Sequence, residues 1–311
     1  MVWLVLLAAC NEYGFESHMD PAEGDTGAVQ PFVEPEPEAE DWNYQPDDGL
    51  SPPDVVEDPP EPPEDTGEPP NTDQPIAVCT VNPGLVSPPF EEATFDGTAS
   101  YDPSGNAIVD WDWTLVAAPA GSTSAMPMAA GPNRSGFLAD LAGLYDAELV
   151  VTTDDGRVSA PCLTTLKAVP SQDFWVEMYW AQPNDDMDLH LLRPGGSYNS
   201  GGDCYWANCT GWSFGLDWGM SGDPTDDPRL DLDDIPGTGP ENINIDTPAT
   251  GTYTVSVHDF PGTSFPGAND VTVNIYIGGV LSWTDTRTIT GEDVYEPFAT
   301  VEWPSALITP L

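Results

Sequence analysis

Apolar residues in this chain recur at every second position rather than every third or fourth. In AIVDWDWTLV (107–116), Val109, Trp111, Trp113 and Leu115 share one face of an extended chain. Ile108, Asp110, Asp112 and Thr114 share the other. In DFWVEMYW (173–180), Phe174, Val176, Met178 and Trp180 alternate with Asp173, Trp175, Glu177 and Tyr179. No stretch sustains a 3.6-residue apolar period, so almost no helix is expected and each strand must cover its apolar face with another sheet. The predicted fold class is all-β, with two β-sandwich domains.

Strand-like segments fall in two groups. The first holds 75–82, 93–100, 107–116, 147–154 and 158–167, with turn signals at Asp102-Pro103-Ser104-Gly105 and Asp154-Asp155-Gly156. The second holds 173–180, 187–193, 242–245, 251–260, 271–278, 281–289 and 298–303, with a Gly278-Gly279 hairpin signal. A sandwich of seven to nine strands follows for the second group.

Charge divides the chain differently. Residues 11–75 hold 20 Asp or Glu, 14 Pro and no Lys or Arg. Such a segment buries too little apolar surface to offset its ordering entropy, and it reads as a disordered acidic linker. With 53 acids against 6 Lys and Arg, the net charge of −47 excludes a nucleic-acid binder. It equally disfavours charge-driven adsorption to an anionic membrane.

Residues 1–10, MVWLVLLAAC, carry an apolar run too short to span a bilayer. Leu7-Ala8-Ala9-Cys10 resembles the lipobox of bacterial lipoproteins, which implies a signal peptide over 1–10 and lipidation at Cys10. The polar tether after it fits that resemblance. No Lys or Arg precedes the apolar run, a departure from the usual export signal, and soluble secretion is the alternative. The implied location is exported and membrane-anchored at the outer membrane or cell surface, with membrane contact only through the lipid. Setting Cys10 aside leaves Cys79, Cys162, Cys204 and Cys209, an even number suited to an oxidising compartment. Cys79 and Cys162 lie near the ends of one candidate domain, and Cys204 and Cys209 are close enough to pair locally. A zinc site of Cys204, Cys209, His190 and His258 is the rival reading.

FDGTASYDPSGNAIVDWDW (95–113) and FLADLAGLYDAELVVTTDDGRVS (137–159) resemble a polycystic-kidney-disease-type domain. The resemblance covers 76–169 and implies an immunoglobulin-like sandwich serving as extracellular spacer or adhesion module, without catalysis. In the remainder, 170–311, five elements resemble an exported sandwich module of Gram-negative surface proteins. They are DMDLHLLRPG (186–195), DCY (203–205), DWG (217–219), DPRLDLDD (227–234) and GPENI (239–243). That resemblance implies a jelly-roll-like architecture and no known activity.

The loop region of roughly fifty residues between the strands at 187–193 and 242–245 is long enough to be functional. Asp186, Asp188, Asp203, Asp217, Asp231, Asp233, Asp234 and Glu241 lie in or beside it with few cations. Packed carboxylates repel, and calcium, which takes six to eight oxygens and tolerates irregular loops, relieves them. Calcium is therefore the expected cofactor, and a solvated acidic loop with Arg193 and Arg229 is the alternative. No EF-hand spacing is present. Tyr205, Trp206, Trp212 and Trp218 are the candidate ligand-binding aromatics, for a protein or glycan partner. Catalytic signatures are thin: there is no H-E-x-x-H and only three histidines, with His190 and His258 in strand-like segments where a packed histidine is the ordinary case. The expectation is a surface lipoprotein for adhesion or ligand binding, not an enzyme. A structural display module and a carbohydrate-active enzyme are the alternatives.

Overall fold

The computed structural model describes residues 73–210, 215–235 and 237–311. The signal segment, Cys10, the linker up to residue 72 and Trp212 lie outside the described residues. The described residues contain strands, turns and loops and no helix, so the fold is all-β.

The strands run in chain order as β1 (Thr80–Asn82), β2 (Leu85–Val86), β3 (Glu92–Asp96), β4 (Ile108–Ala117), β5 (Asn133–Leu138), β6 (Gly143–Thr153) and β7 (Cys162–Ala168). These build two sheets, ordered β1-β3-β5 and β2-β7-β6-β4. Then follow β8 (Phe174–Trp180), β9 (Met187–Leu192), β10 (Asp203–Cys204), β11 (Arg229–Leu232), β12 (Glu241–Ile245), β13 (Gly251–Asp259), β14 (Asn269–Ile277), β15 (Val280–Ile289), β16 (Val294–Trp303) and β17 (Leu307–Pro310). They form two five-stranded sheets, ordered β10-β9-β13-β16-β17 and β11-β12-β8-β14-β15. All neighbouring pairs are antiparallel except β2 with β7. Among the described residues the second sandwich thus has ten strands rather than seven to nine, because two short strands form inside the long loop region and one follows residue 303.

Each core follows the alternation. Phe95, Trp113, Phe137, Tyr145, Leu149 and Leu166 fill the first, with Trp111 packed against them and Val109 left exposed at the strand's start. Phe174, Val176, Met178 and Trp180 enter the second core from β8, with Leu189, Ile243, Val255 and Phe298 from other strands. The opposite face of β8 is buried too, because the first sandwich covers it: Trp175 packs with Ala142 and Tyr276. There the Ala142 N–H donates to Glu177 Oε1 at 2.6 Å. Both sandwiches belong to one compact unit.

Turn chemistry matches the sequence at two places. Gly278 and Gly279 take positive φ of 54° and 75° between β14 and β15, as a primed hairpin turn requires. Asp102 accepts the Ser104 and Asn106 N–H groups and pairs with Arg157 at 2.6 Å. Disulfides join Cys79 to Cys162 and Cys204 to Cys209, with Cα separations of 5.9 and 5.1 Å. The Cys204–Cys209 bond removes both thiolates from the rival zinc site. Two disulfides suit an exported protein. No helix among the described residues is long and apolar enough to cross a membrane.

Candidate metal and ligand site

The site grows from the two faces of β9. Met187, Leu189 and Leu191 join the core, which puts Asp188 and His190 together on the opposite face. On β13, Val255 and Val257 join the core while Ser256 and His258 share the other parity. Antiparallel pairing sets His258 opposite Asp188 and Ser256 opposite His190. A face of that polarity is ordinarily wet, yet Asp188, His190, Ser256 and His258 are all buried. The loop region and β16 cover them. Tyr205 stacks on His190 with ring centroids 5.1 Å apart, and Tyr295 stacks on His258 at 4.0 Å. Tyr198 meets the His190 ring edge-on at 5.7 Å.

A second strand system brings in the carboxylates. Glu241 shares the inward parity of Ile243 and Ile245 on β12, and its Oε2 accepts the Leu189 N–H at 2.7 Å. Its Oε1 is buried with no hydrogen-bond partner among the described residues, as are Asp186 Oδ1 and Asp188 Oδ2. One ligand atom each from Asp188, Asp233 and Glu241 lie within 4.8 Å of one another. Burial, then the charge of Asp188, drives the Glu241 carboxyl well above its usual range. Burial followed by Asp188, Asp233, Asp185 and Asp234 pushes Asp186 up to about 7, and burial with Asp188 raises Asp233. Raised carboxylates beside unsatisfied oxygens are what a bound cation would relieve.

Asp186, Asp188 and Asp233 open onto a pocket of ≈ 260 Å³ walled by Trp206, Ile235 and Phe260. Trp206 is 43% exposed and meets Phe260 edge-on, ring centroids 5.9 Å apart. A larger hollow of ≈ 470 Å³ adjoins it through Asp233 and is shared with Thr123 and Asp140 of the first sandwich. The combination of an aromatic wall and convergent acceptors can hold a polyhydroxylated or cationic ligand.

The other sequence-chosen residues scatter. Asp203 accepts from His190 Nδ1 at 2.8 Å and from the Asn199 N–H, so it supports the histidine instead of joining the carboxylates. Asp217 caps a turn through Ser221 and the Gly222 N–H. Asp231 accepts from Asn244, and Asp234 accepts the Gly239 N–H while lining the larger hollow. Each of these four spends an oxygen on local structure. Trp218 is a correction. It is 2% exposed, sits in the core and donates from Nε1 to the Gly201 carbonyl, so it meets no ligand. Tyr205 is half-buried by its stacking on His190, which leaves Trp206 as the exposed aromatic of the described three.

Asp185, part of the same acidic run in the sequence, is buried and accepts from Asn269 and Thr263, bracing the loop before β9. Sequence reading passed over Tyr295 and Phe260, which nothing in their local sequence marks. Residues 211–215, GWSFG, spell the G-x-S-x-G of a nucleophile elbow. That motif needs a strand-to-helix turn, whereas residues 211–214 lie outside the described residues and the described residues that follow are irregular.

No family model matches the chain, and no curated protein matches it in sequence. A solved structure described as bearing on the promiscuous specificity of carbohydrate-binding modules from the β-sandwich superfamily is similar at 13% identity and a TM-score of 0.26. The match covers 72% of this chain and 86% of that one. A likeness of that order fixes neither the ligand nor the activity of this chain.

Proposed function

We propose that this chain is an exported ligand-binding module in which calcium, held by Asp188, Asp233 and Glu241 with Asp186 beside them, organises a pocket for a glycan. The observation that carries the reading is that buried, unsatisfied oxygens of Asp188 and Glu241 meet exposed Asp233 beside a pocket with Trp206 and Phe260 in its wall. Calcium takes six to eight oxygens, so three or four carboxylates leave positions for ligand hydroxyls and water. Trp206 supplies an apolar face against which a sugar ring lies. The role is binding rather than catalysis. In the full chain, Cys10 carries the lipid, residues 11–75 act as tether, and the first sandwich serves as spacer at the outer membrane or cell surface.

Affinity electrophoresis of the full chain through gels carrying neutral or acidic polysaccharides tests it. Retardation in calcium, loss of retardation in chelator and loss in Trp206→Ala support the reading. Equal mobility in every gel with and without calcium overturns it. A structural display role is the second reading, favoured by the burial of Trp218 and the stacking of Tyr205, which turn half of the candidate aromatics into packing residues.

A further inference from the structure

A second cluster stands on the other side of Asp188. One ligand atom each from Asp188, His190 and His258 lie within 4.8 Å of one another, and all three residues are buried. This set is nitrogen-rich, unlike the all-oxygen group proposed for calcium. Its chemistry is that of a borderline divalent cation such as zinc.

Outer carboxylates set the histidines for that task. A carboxylate only accepts, so His190 Nδ1 donates its proton to Asp203 Oδ2 at 2.8 Å. The lone pair then sits on His190 Nε2, which is buried with no hydrogen-bond partner among the described residues. His258 repeats the arrangement with its nitrogens exchanged. Its Nε2 lies 3.2 Å from Asp293 Oδ1, and its Nδ1 lies 3.5 Å from Asp188 Oδ2. A separation of 3.5 Å is long for a charge-assisted hydrogen bond. Asp188 Oδ2 is itself buried with no hydrogen-bond partner among the described residues. Histidine ligands to metals ordinarily give their other N–H to a carboxylate, which fixes tautomer and ring orientation. Here both do. The rings are also held by stacking, His190 on Tyr205 and His258 on Tyr295. Two unsatisfied ligand atoms and two oriented rings are costly to bury without an occupant.

We propose that Asp188, His190 and His258 form a divalent transition-metal site of the zinc class, with Asp203 and Asp293 as positioning residues and Asp188 shared with the carboxylate group. Small side-chain rotations bring the three ligand atoms onto one ion, with bonds of about 2.0–2.2 Å and a fourth position left to water or ligand. The proposal shares Asp188 with the calcium reading but does not rest on it.

The test uses the full chain, stripped of metal and then saturated with calcium, titrated with zinc by calorimetry. One equivalent of zinc should bind. Asp203→Asn should weaken zinc by about 10–100-fold through loss of the outer partner. His258→Gln should abolish it, with circular dichroism confirming the fold. X-ray absorption on the zinc-loaded wild type should show imidazole scattering, and this readout needs no variant. Absence of zinc binding, zinc without imidazole scattering, or full zinc affinity in His258→Gln overturns the proposal. Zinc binding in a protein that fails to bind calcium leaves this site standing and removes only the calcium reading.

Discussion

Asp188 and His258 face each other across β9 and β13, carboxylate Oδ2 to ring Nδ1 at 3.5 Å, on a sheet face that the loop region buries. Burial alone would lower the His258 pKa, but Asp188 and Asp293 beside it hold it raised. Asp188 in turn sits against Glu241 and Asp233. One carboxylate therefore joins the nitrogen-rich and the oxygen-rich halves of the site, and its removal should be felt in both.

Asp188→Asn keeps the volume and removes the charge. Without metal, repulsion on Asp186, Asp233 and Glu241 falls, so the variant should melt higher than wild type in chelator. With metal the order reverses. If calcium binds as proposed, a hundredfold excess over Kd should stabilise wild type by about 2.7 kcal/mol, roughly 5–10 °C for a unit of this size. Asp188→Asn should show no such shift, and magnesium should act more weakly than calcium on wild type. Differential scanning calorimetry with calcium, magnesium and chelator decides this. Equal shifts in variant and wild type would remove Asp188 from the site.

Glu177 gives a pH dependence away from the metal cluster. Burial raises its carboxyl to about 7 from an ordinary 4.5, against the opposing hydrogen bond from Ala142. A folded pKa above the unfolded one means the folded state holds the proton more tightly between those values. Its stability contribution is then full below about pH 4.5, declines as pH rises, and is gone above about 7. The span is worth on the order of 3 kcal/mol. Glu177→Gln mimics the protonated form, so it should flatten the fall in melting temperature between pH 5 and 8 and exceed wild type at pH 8. A variant with the wild-type slope over that range would show that the group responsible lies elsewhere.

Period-two alternation made β4, β8 and the two cores legible, because a one-residue slip would turn every apolar side chain outward. It missed β5, where NRSGFL does not alternate, Gly136 takes φ of 77° and the pairing with β3 shifts register between Ala93 and Phe95. Asp188, Asp233 and Glu241 are marked by acidic density and by the pattern that resembles an exported sandwich module. The same signal marked Asp203, Asp217, Asp231 and Asp234, since density does not say which oxygens are spent on turns. His190 and His258 read as packed histidines because their shared site depends on the register of β9 against β13, a pairing between segments far apart in sequence. The burial of Trp175 and Glu177 was hidden for a related reason. Alternation on β8 identifies two faces but does not reveal that a second sandwich covers one of them.

Trp206 and Trp218 should separate ligand binding from folding. Trp206 is 43% exposed at the pocket wall, so Trp206→Ala should cost under about 1 kcal/mol of stability while abolishing polysaccharide retardation. Trp218 is 2% exposed and packs near Tyr253, ring centroids 6.3 Å apart. Trp218→Ala should cost about 3–5 kcal/mol through the cavity it leaves. Chemical denaturation of both variants beside affinity electrophoresis reads the two effects. A Trp206→Ala protein that unfolds as readily as Trp218→Ala would show that both are packing residues.

The two disulfides should differ in size and in reach. In the chain-entropy treatment, the Cys79–Cys162 bridge, with a sequence separation of 83, is worth about 4–5 kcal/mol, and the Cys204–Cys209 bridge, with a separation of 5, about 2 kcal/mol. Stability loss should therefore be greater in Cys79→Ser/Cys162→Ser than in Cys204→Ser/Cys209→Ser. Metal binding should rank them the other way. Cys204 follows Asp203, and the backbone of the short loop it closes is tied to that segment by Asn208, which donates to the Asp203 carbonyl at 2.9 Å. Opening the loop loosens the carboxylate that orients His190. Zinc affinity should fall by about 10–100-fold in Cys204→Ser/Cys209→Ser, as for loss of an outer partner, and stay at the wild-type value in Cys79→Ser/Cys162→Ser. Denaturant melts paired with zinc calorimetry on both double variants measure the crossed ranking. If the Cys79→Ser/Cys162→Ser protein also lost zinc while still folded, coupling would run through the whole molecule and not through the short loop beside Asp203.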